Sequence, residues 1–547
     1  MPLRNQPHSL QKSSLVAIAR NFDSICYNVK TRQEMCTMIY DESYLQVPGP
    51  FQHLPGAMLS DLLEVLVSDH KCRRLNRTHY HALIQPHLEH FKLASSDGEP
   101  FTAVKLLLTR CKVRDRGRIR RHHLHTLILP QLQEFEISSV GETILAVHLL
   151  TQRCRRLRRV NLSYLRNVGP GAMLRLATCL AEVTHLNLSM TQIIDQVLEV
   201  VGRCCPHLRE LDVSNTGITD SALIRLSHDE TSKVPQCQKL ERVILAGCLL
   251  SPTGPAYLLH YLPRLYYIDY EYMFQVFEIL QDWGVTKDNM TQCDPYPLRV
   301  LTSSSEHIDP SSVDVAVTLC PLVLEVTLSN AVIENELLYQ TMRLEHLAHL
   351  RLTNCDGLSL NFHEGVLPVL TLRGHGLISL LLANFTVVDL TAIGECCPRL
   401  QNLALSGVTI YEEILYPRDH LFTTLVNLEV WTSVTTDSCN ATILRQLLSR
   451  CPGLQNLLVR GADALSDKLL QELWQTNPMH QLSRLTLDSC HNVTIASIFH
   501  LLEEDNKLTL VRLWSCFLIT RQDSLNLQHY VKAHNCDLYL EWYCWNG

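Results

Sequence analysis

A short motif of alternating apolar and polar positions recurs along most of the chain. Its clearest copy, Cys205 to Val213, has the form C-P-x-L-x-x-L-x-L, and two further clear copies begin at Cys397 and Cys451. The alternation in L-x-x-L-x-L predicts a short strand with one buried face. A segment of helical period follows, for example residues 221–226. The chain is therefore predicted to repeat a strand and a helix.

The repeat extends well beyond its clear copies. Most copies start 23 to 33 residues apart, and degenerate ones begin at Leu132, Leu157, Val183, Leu240, Leu265, Leu298, Val323, Leu347, Leu377, Leu425, Leu482 and Leu508. One strand and one helix cannot bury their apolar faces alone, whereas stacked copies can. We therefore predict one continuous α/β solenoid with a parallel sheet on its inner face. Leu211, Leu403 and Leu457 are predicted to lie in its core.

The cysteines follow the repeat and not a metal-binding or disulfide pattern. There are 21 of them, an odd number, and no C-x-x-C pair occurs. We expect most to be reduced, buried, small apolar residues, including those that follow a strand, Cys248, Cys355, Cys490 and Cys516. This pattern resembles the cysteine-containing leucine-rich repeats. The resemblance covers about residues 88 to 540 and implies a horseshoe-shaped solenoid, for which we predict residues 81–547.

Three segments depart from the period. An insertion at residues 271–297 carries Tyr272, Phe274, Phe277 and Trp283 and is expected to form an extra helix or a loop over one rim. The pattern of residues 88–93 predicts a strand that caps the first repeat. The aromatic segment 538–545 predicts a cap at the other end, because end repeats would otherwise expose their core.

Residues 1–80 lack the repeat and are predicted to form a small helical head. One amphipathic pattern starts near Ser13 and includes Leu15 and Phe22, and a second opens with Leu54 and Pro55. Proline is favoured in the first turn of a helix. One interpretation is a helical cap that packs on the first repeat. A second interpretation is a docking module.

The docking interpretation rests on two apolar spacings. Leu54-Pro55-x-x-Met58-x-x-x-Leu62 resembles a cullin-2 box, and the helix around Leu15 resembles an elongin-binding helix. Together they are similar to the VHL box of the Zyg-eleven-related receptors of cullin-2 ubiquitin ligases. Ala19 stands where that helix normally has a cysteine, and Phe22 falls one position short of the usual spacing. The armadillo-type domain of that family is not recognised in this sequence.

That resemblance implies elongin B/C and cullin-2 as partners and a helical surface that binds them. The residues it assigns to adaptor binding are Leu15, Phe22, Leu54, Pro55, Met58 and Leu62.

An F-box is the alternative for the same residues. It also opens with Leu-Pro and an apolar helix, and it would imply a Skp-type adaptor and cullin-1. Against it, no tryptophan occurs between residues 55 and 100, and the helix around Leu15 has no role in an F-box. A plain interaction scaffold or enzyme inhibitor, without any ligase, is a further alternative.

Composition narrows the classes of function. The hydrophobic fraction is 46% and the formal charge is −7, so the chain is expected to fold and is not a generally basic nucleic-acid binder. No run of 18 apolar residues and no signal-peptide pattern occurs, which favours the cytoplasm or nucleus. No catalytic motif is recognised, and His122 and His125 lack zinc spacing. We expect a binding protein without catalytic activity or cofactor.

The segment from Lys105 to Arg159 is locally basic, with 13 Lys and Arg against 4 Asp and Glu. A solvated outer face is the simplest interpretation. An acidic or phosphorylated partner is the next, and nucleic acid is the third because stacking aromatics are absent.

The inner face of the sheet is the predicted capture site for a protein substrate. Strand alternation turns the positions between the leucines toward solvent, and exposed tryptophan and arginine are typical of binding hot spots. The arginines are expected to pair with carboxylates of the partner. The candidate residues are Tyr267, Asp269, Glu429, Trp431, Arg460, Arg484, Arg512 and Trp514. The inner face predicts a protein-binding site, and the resemblance of the head to a VHL box implies that the chain is the substrate receptor of a cullin ligase.

Overall fold

The computed structural model contains two compact units, residues 7–270 and residues 271–547, which we call the first and second unit. Each is described by itself. The structure describes residues 10–22, 50–68, 77–85, 88, 90–93, 134–137, 157–164, 169–228, 236–285, 295–304, 308–331, 334–354, 360–408, 421–432, 437–504 and 506–544.

The first unit contains a seven-stranded parallel sheet in which each strand pairs with the next along the chain. Its strands are β1 (His90–Leu93), β2 (Glu134–Ile137), β3 (Arg159–Asn161), β4 (His185–Asn187), β5 (Glu210–Asp212), β6 (Arg242–Ile244) and β7 (Tyr267–Asp269). Its helices are α1 (Leu10–Arg20), α2 (Gly56–Ser68), α3 (Arg77–Leu83), α4 (Pro170–Ala177), α5 (Asp195–Cys204), α6 (Asp220–Ser227) and α7 (Thr253–Tyr261).

The second unit contains a ten-stranded parallel sheet, again in chain order. Its strands are β8 (Val300–Ser303), β9 (Glu325–Ala331), β10 (His349–Asn354), β11 (Ser379–Ala383), β12 (Asn402–Ser406), β13 (Asn427–Trp431), β14 (Asn456–Arg460), β15 (Arg484–Asp488), β16 (Leu510–Trp514) and β17 (Tyr539–Tyr543). Its helices are α8 (Met273–Asp282), α9 (Pro310–Leu319), α10 (Asn335–Gln340), α11 (Leu367–Arg373), α12 (Leu390–Cys396), α13 (Asp437–Leu448), α14 (Asp467–Thr476), α15 (Ile495–Glu503) and α16 (Arg521–Ala533), with short 3₁₀ or π turns at 341–343, 362–366 and 374–376.

Both units are α/β leucine-rich-repeat structures, as the periodicity predicts. In most strands with described burial, the leucine positions are buried and the positions between them are not, as in Asn427–Trp431. The exceptions include Thr486 of β15, which is buried, and Leu540 and Trp542 of β17, which are partly buried. Leu211 and Leu403 are each 1% exposed and Leu457 is 5% exposed, which confirms their predicted place in the core. The prediction of a single continuous solenoid stays a prediction.

A recurrent turn follows the strands. In the first unit the residue three positions beyond the last strand residue often has a left-handed backbone, as at Met190 (φ 57°) and Asn215 (φ 53°). Strands β3, β4 and β5 end on Asn or Asp, whose side chain closes the turn. The Asn187 Oδ1 accepts from the amide and hydroxyl of Ser189 at 2.9 and 2.8 Å. The N-x-S sequence at this position is therefore a turn signal.

A carboxylate clamp joins successive helices. The Asp195 carboxylate accepts from the Thr219 amide at 2.9 Å and from its hydroxyl at 2.6 Å. In the second unit, Asp467 accepts in the same way from Thr494 and also from the Ser497 hydroxyl. Each clamp links the first turn of one helix to the N-cap of the next, so one repeat orients its neighbour.

The repeat cysteines behave largely as predicted. Cys205, Cys397 and Cys451 are free thiols buried where the chain enters a strand. Burial raises the pKa of Cys451 to about 12, so this thiol is neutral and unreactive. Cys490 and Cys516, after a strand, are also buried. Cys248 is only partly buried, so the prediction of a core position was wrong there, and Cys355 lies outside the described residues.

The segments at the ends of the second unit form caps. Helix α8, within the predicted insertion, buries Phe274 and Phe277 against β8 and α9, so this part of the insertion is a helix. At the other end, β17 is the edge strand, and the indole of Trp542 donates to the Ile519 carbonyl at 3.1 Å. Segment 88–93 supplies β1, the edge strand of the first unit.

Core truncation tests the repeat. Leu403→Ala should lower the free energy of unfolding by about 2–5 kcal/mol, because it leaves a cavity between packed layers. Chemical denaturation monitored by circular dichroism measures this loss. Leu372→Ala is the control, because Leu372 is 51% exposed. Equal stability of the two variants would contradict the assigned core.

The Asp467 clamp predicts an acid-dependent stability. Burial acts to raise the pKa of Asp467, but hydrogen bonds from Ser497 and Thr494 outweigh it and the pKa is lowered. The ionised clamp therefore stabilises the fold fully above the unfolded-state pKa of about 3.9 and is lost as pH falls through the lower folded-state pKa. Asp467→Asn should be less stable than wild type at pH near 7. Denaturation midpoints should converge below about pH 4, and a constant difference would contradict the clamp.

Candidate protein-binding face

On one side of the ten-stranded sheet most described strand residues are exposed or half-buried, and we call this side the open face. It consists of the strand residues between the buried leucines. Because the strands pair in register, these side chains form columns across the sheet. The column at the carboxyl ends of strands β12 to β17 contains Ser406, Trp431, Arg460, Asp488, Trp514 and Tyr543. Adjacent members lie about 4.8 Å apart along the sheet.

Aromatic rings and guanidinium groups alternate in this region. Trp431 is 43% exposed and Tyr543 is 53% exposed, whereas Trp514 is partly buried. The Arg460 guanidinium carbon lies 5.8 Å from the centre of the Trp431 ring, and that of Arg512 lies 5.4 Å from the Trp514 ring. Such cation–π contacts hold the rings in place while leaving aromatic area open to solvent.

Each of these two arginines already has a carboxylate partner on the next strand. The Arg460 Nε lies 3.2 Å from an Asp488 oxygen, and the Arg512 Nε lies 3.0 Å from a Glu541 oxygen. The expectation that these arginines pair with carboxylates of a partner stays a prediction. Within the chain, their contacts with Asp488 and Glu541 and with the rings position Trp431 and Trp514.

Glu429 and Arg484 differ from Arg460 and Arg512 in their lack of a charged partner among the described residues. Glu429 is exposed on β13, two residues before Trp431, and Arg484 is exposed at the start of β15. Within the part of the chain that the structure describes, neither side chain makes an ion pair or a side-chain hydrogen bond. These two charges are therefore available to a partner.

Tyr267 and Asp269 belong to the first unit. Both are partly exposed on β7, the last strand of the seven-stranded sheet, and the Arg242 guanidinium carbon lies 4.5 Å from the Tyr267 ring centre. In the same sheet the Asn187 amide donates to Asp212 at 2.9 Å. This face combines polar and aromatic groups, but its only aromatic side chain among the described strands β3 to β7 is Tyr267.

The adaptor candidates in the head divide into two groups. Leu15, Phe22 and Leu62 are at most 7% exposed. Phe22 stacks on His79 at 4.9 Å and meets Phe51 edge-on at 5.8 Å. The other candidates face outward to a greater degree, with Leu54 and Met58 partly exposed and Pro55 exposed.

The burial of three of these residues limits the surface that the head can present to an adaptor. Helix α1 packs on α2, and α2 packs on β1, so the buried group holds the head to the sheet. Among the six candidates, Leu54, Pro55 and Met58 are the ones that offer surface to an adaptor in this conformation.

Three residues of the open face were missed by sequence reasoning. Asp488, Glu541 and Tyr543 complete the ion pairs and the aromatic column. Strand alternation could have identified them, because all three occupy alternate strand positions next to buried Leu487 or partly buried Trp542. The sequence prediction assigns segment 538–545 only to a cap and does not assign its solvent-facing side chains.

The other candidate chemistry is not represented in the described residues. No group of three or more potential metal ligands occurs among them, and none of their helices is long and apolar enough to cross a membrane. His122, His125 and the greater part of the basic segment between Lys105 and Arg159 lie outside the described residues.

No protein-family profile and no curated protein matches the sequence. Among solved structures, a TLR13–ssRNA13 complex is similar at 12% identity with a TM-score of 0.37, over 86% of this chain and 80% of that one. Internalin inlF of Listeria monocytogenes has 13% identity and a TM-score of 0.27, over 92% and 99%. A leucine-rich-repeat protein of Leptospira interrogans has 12% identity and a TM-score of 0.34, over 91% and 98%.

The open face should contribute little to folding. Trp431→Ala removes an exposed ring and one cation–π contact, so the free energy of unfolding should change by about 1 kcal/mol or less. Chemical denaturation of Trp431→Ala and Leu403→Ala under the same conditions compares their free energies of unfolding. A loss as large as that of Leu403→Ala would show that Trp431 is a structural residue.

Proposed function

We propose that this chain is a protein-interaction module that captures a protein partner on the open face of the second unit. The observation that carries the proposal is the pair of tryptophans, Trp431 and Trp514, each held by an arginine on a rigid sheet. Tryptophan and arginine dominate the energy of protein interfaces. Fixed side chains also lose less conformational entropy on binding.

The charge of the face favours a protein over a nucleic acid. On the described strands β8 to β17 it has four arginines, Arg351, Arg460, Arg484 and Arg512, and four carboxylates, Glu325, Glu429, Asp488 and Glu541. The formal charge from these groups is zero. A nucleic-acid site would need net positive charge to neutralise phosphates.

The more specific proposal is that the chain is the substrate receptor of a cullin ubiquitin ligase, without catalytic activity or cofactor of its own. The VHL-box resemblance supports elongin B/C and cullin-2, with a Skp-type adaptor and cullin-1 as the alternative. The partly exposed Leu54 and Met58 and the exposed Pro55 offer an apolar surface for this contact. The receptor would act by raising the effective concentration of substrate lysines near a ubiquitin-charged enzyme.

One feature supports an action in the cytoplasm or nucleus. The described cysteines are free thiols, as is usual in a reducing compartment. A scaffold or inhibitor without a ligase would share the open face and differ only at the head. The two functions are therefore separable by variants of the head.

Partner capture is tested with the tryptophans. Trp431→Ala or Trp514→Ala should weaken binding to a partner found by proximity labelling by about 2 kcal/mol or more, because each removes a preorganised apolar anchor. Isothermal calorimetry measures the affinities, and Leu372→Ala serves as a folded control. Wild-type affinity in both variants would exclude the open face as the capture site.

Adaptor docking is tested with Met58→Glu, which places a charge on the outward surface of α2. It should abolish copurification of elongin B/C and cullin-2, or of a Skp-type adaptor, from cells. Glu64→Gln on the same helix is the control, because Glu64 is exposed. If wild-type protein recovers no cullin adaptor, the ligase proposal fails and the scaffold alternative stands.

A further inference from the structure

On the described strands of the open face, one carboxylate lacks the ion pair that the others make. Three of its four arginines pair with carboxylates on neighbouring strands, as Arg351 does with Glu325 at 3.2 Å. Among the described residues, Glu429 is the one strand carboxylate of this face without such a pair, and it is exposed. Because the other three carboxylates on the described strands of this face are paired within the chain, Glu429 is the one among them where a cation from outside would gain most.

On the β12 side, Glu429 and Trp431 have short neighbours that leave room for a long side chain. Its register partner on β12 is Ala404, and the partner of Trp431 is Ser406. On β11 the neighbour of Ser406 is Ala383. Because these side chains are short, no bulky group on β12 covers the Trp431 ring or the Glu429 carboxylate.

Trp431 complements Glu429 chemically. The two residues share one face of the strand and are separated by about 6.6 Å along it. Arginine and lysine have apolar stems that pack on aromatic rings and cationic heads that pair with carboxylates. Arg460, which already lies over Trp431, does not oppose a second cation strongly, because Asp488 neutralises it.

We propose that Glu429 and Trp431 form a subsite for a basic side chain of the protein partner, with arginine preferred over lysine. The guanidinium would stack on the indole and donate two hydrogen bonds to the Glu429 carboxylate. Ala404 and Ser406 leave the space that its stem occupies. The inference rests on the proposed function and adds the chemistry that the partner must present.

A phage-displayed library of random dodecapeptides tests this on the full chain. Peptides selected on wild type should be enriched in Arg or Lys at one position of the motif. The same selection on Glu429→Lys should lose that enrichment and favour Asp or Glu. Glu345→Lys is the control, because Glu345 is exposed in the turn before β10 and should leave the wild-type motif unchanged.

A double-mutant cycle identifies the contact itself. A synthetic selected peptide and its arginine-to-citrulline form are titrated against wild type and Glu429→Gln. Each single change should weaken binding about tenfold, and the combined change should cost little more, because both remove the same pair. Additive effects would overturn the pairing of Glu429 with the basic residue.

The outcomes separate this inference from the proposed function. If Trp431→Ala and Trp514→Ala abolish peptide binding while Glu429→Lys preserves both motif and affinity, the open face is the site and the basic subsite is wrong. If all three variants bind as wild type, or if the library gives no binder, the capture proposal itself fails.

Discussion

Each repeat depends on its neighbours for the burial of its leucines. A three- to seven-residue strand and one helix have apolar faces too small to fold alone, and only stacking removes those faces from water. Leu211, Leu403 and Leu457 are buried for this reason. The clamps of Asp195 and Asp467 act between adjacent helices and fix how one repeat sits on the next. All other features of the two sheets follow from this nearest-neighbour packing.

The same stacking creates the open face. Parallel pairing without a register shift from β10 to β17 places equivalent side chains in columns about 4.8 Å apart. Charged groups at that spacing either repel or pair. Here Arg460 and Asp488 pair, as do Arg512 and Glu541, and the guanidiniums also contact Trp431 and Trp514. The ion pairs are exposed and contribute little stability, so their main physical effect is to orient the rings.

The head illustrates how one apolar pattern can serve two purposes. An amphipathic helix needs a buried stripe to pack on its neighbours, and a docking helix needs an apolar stripe on its outer side. Leu15 of the helix Leu10–Arg20 and Phe22, just after it, both pack inward. In Gly56–Ser68, Leu62 packs inward while Met58 is partly exposed. The proposed adaptor contact therefore depends on the start of the second helix and on Leu54 and Pro55 before it.

The sequence by itself determined the repeat, its strand positions and the burial of the leucines and of most repeat cysteines, because these depend on local alternation with a constant period. It also assigned Glu429, Trp431 and Arg460 to the solvent side, since a strand of period two has only two faces. Only the tertiary structure decided which charges meet, because Arg460 and Asp488 are 28 positions apart in sequence and become neighbours through strand register. For the same reason, the inward turn of Phe22 and the isolation of Glu429 were not readable from the sequence, since both depend on which side chains other elements bring beside them.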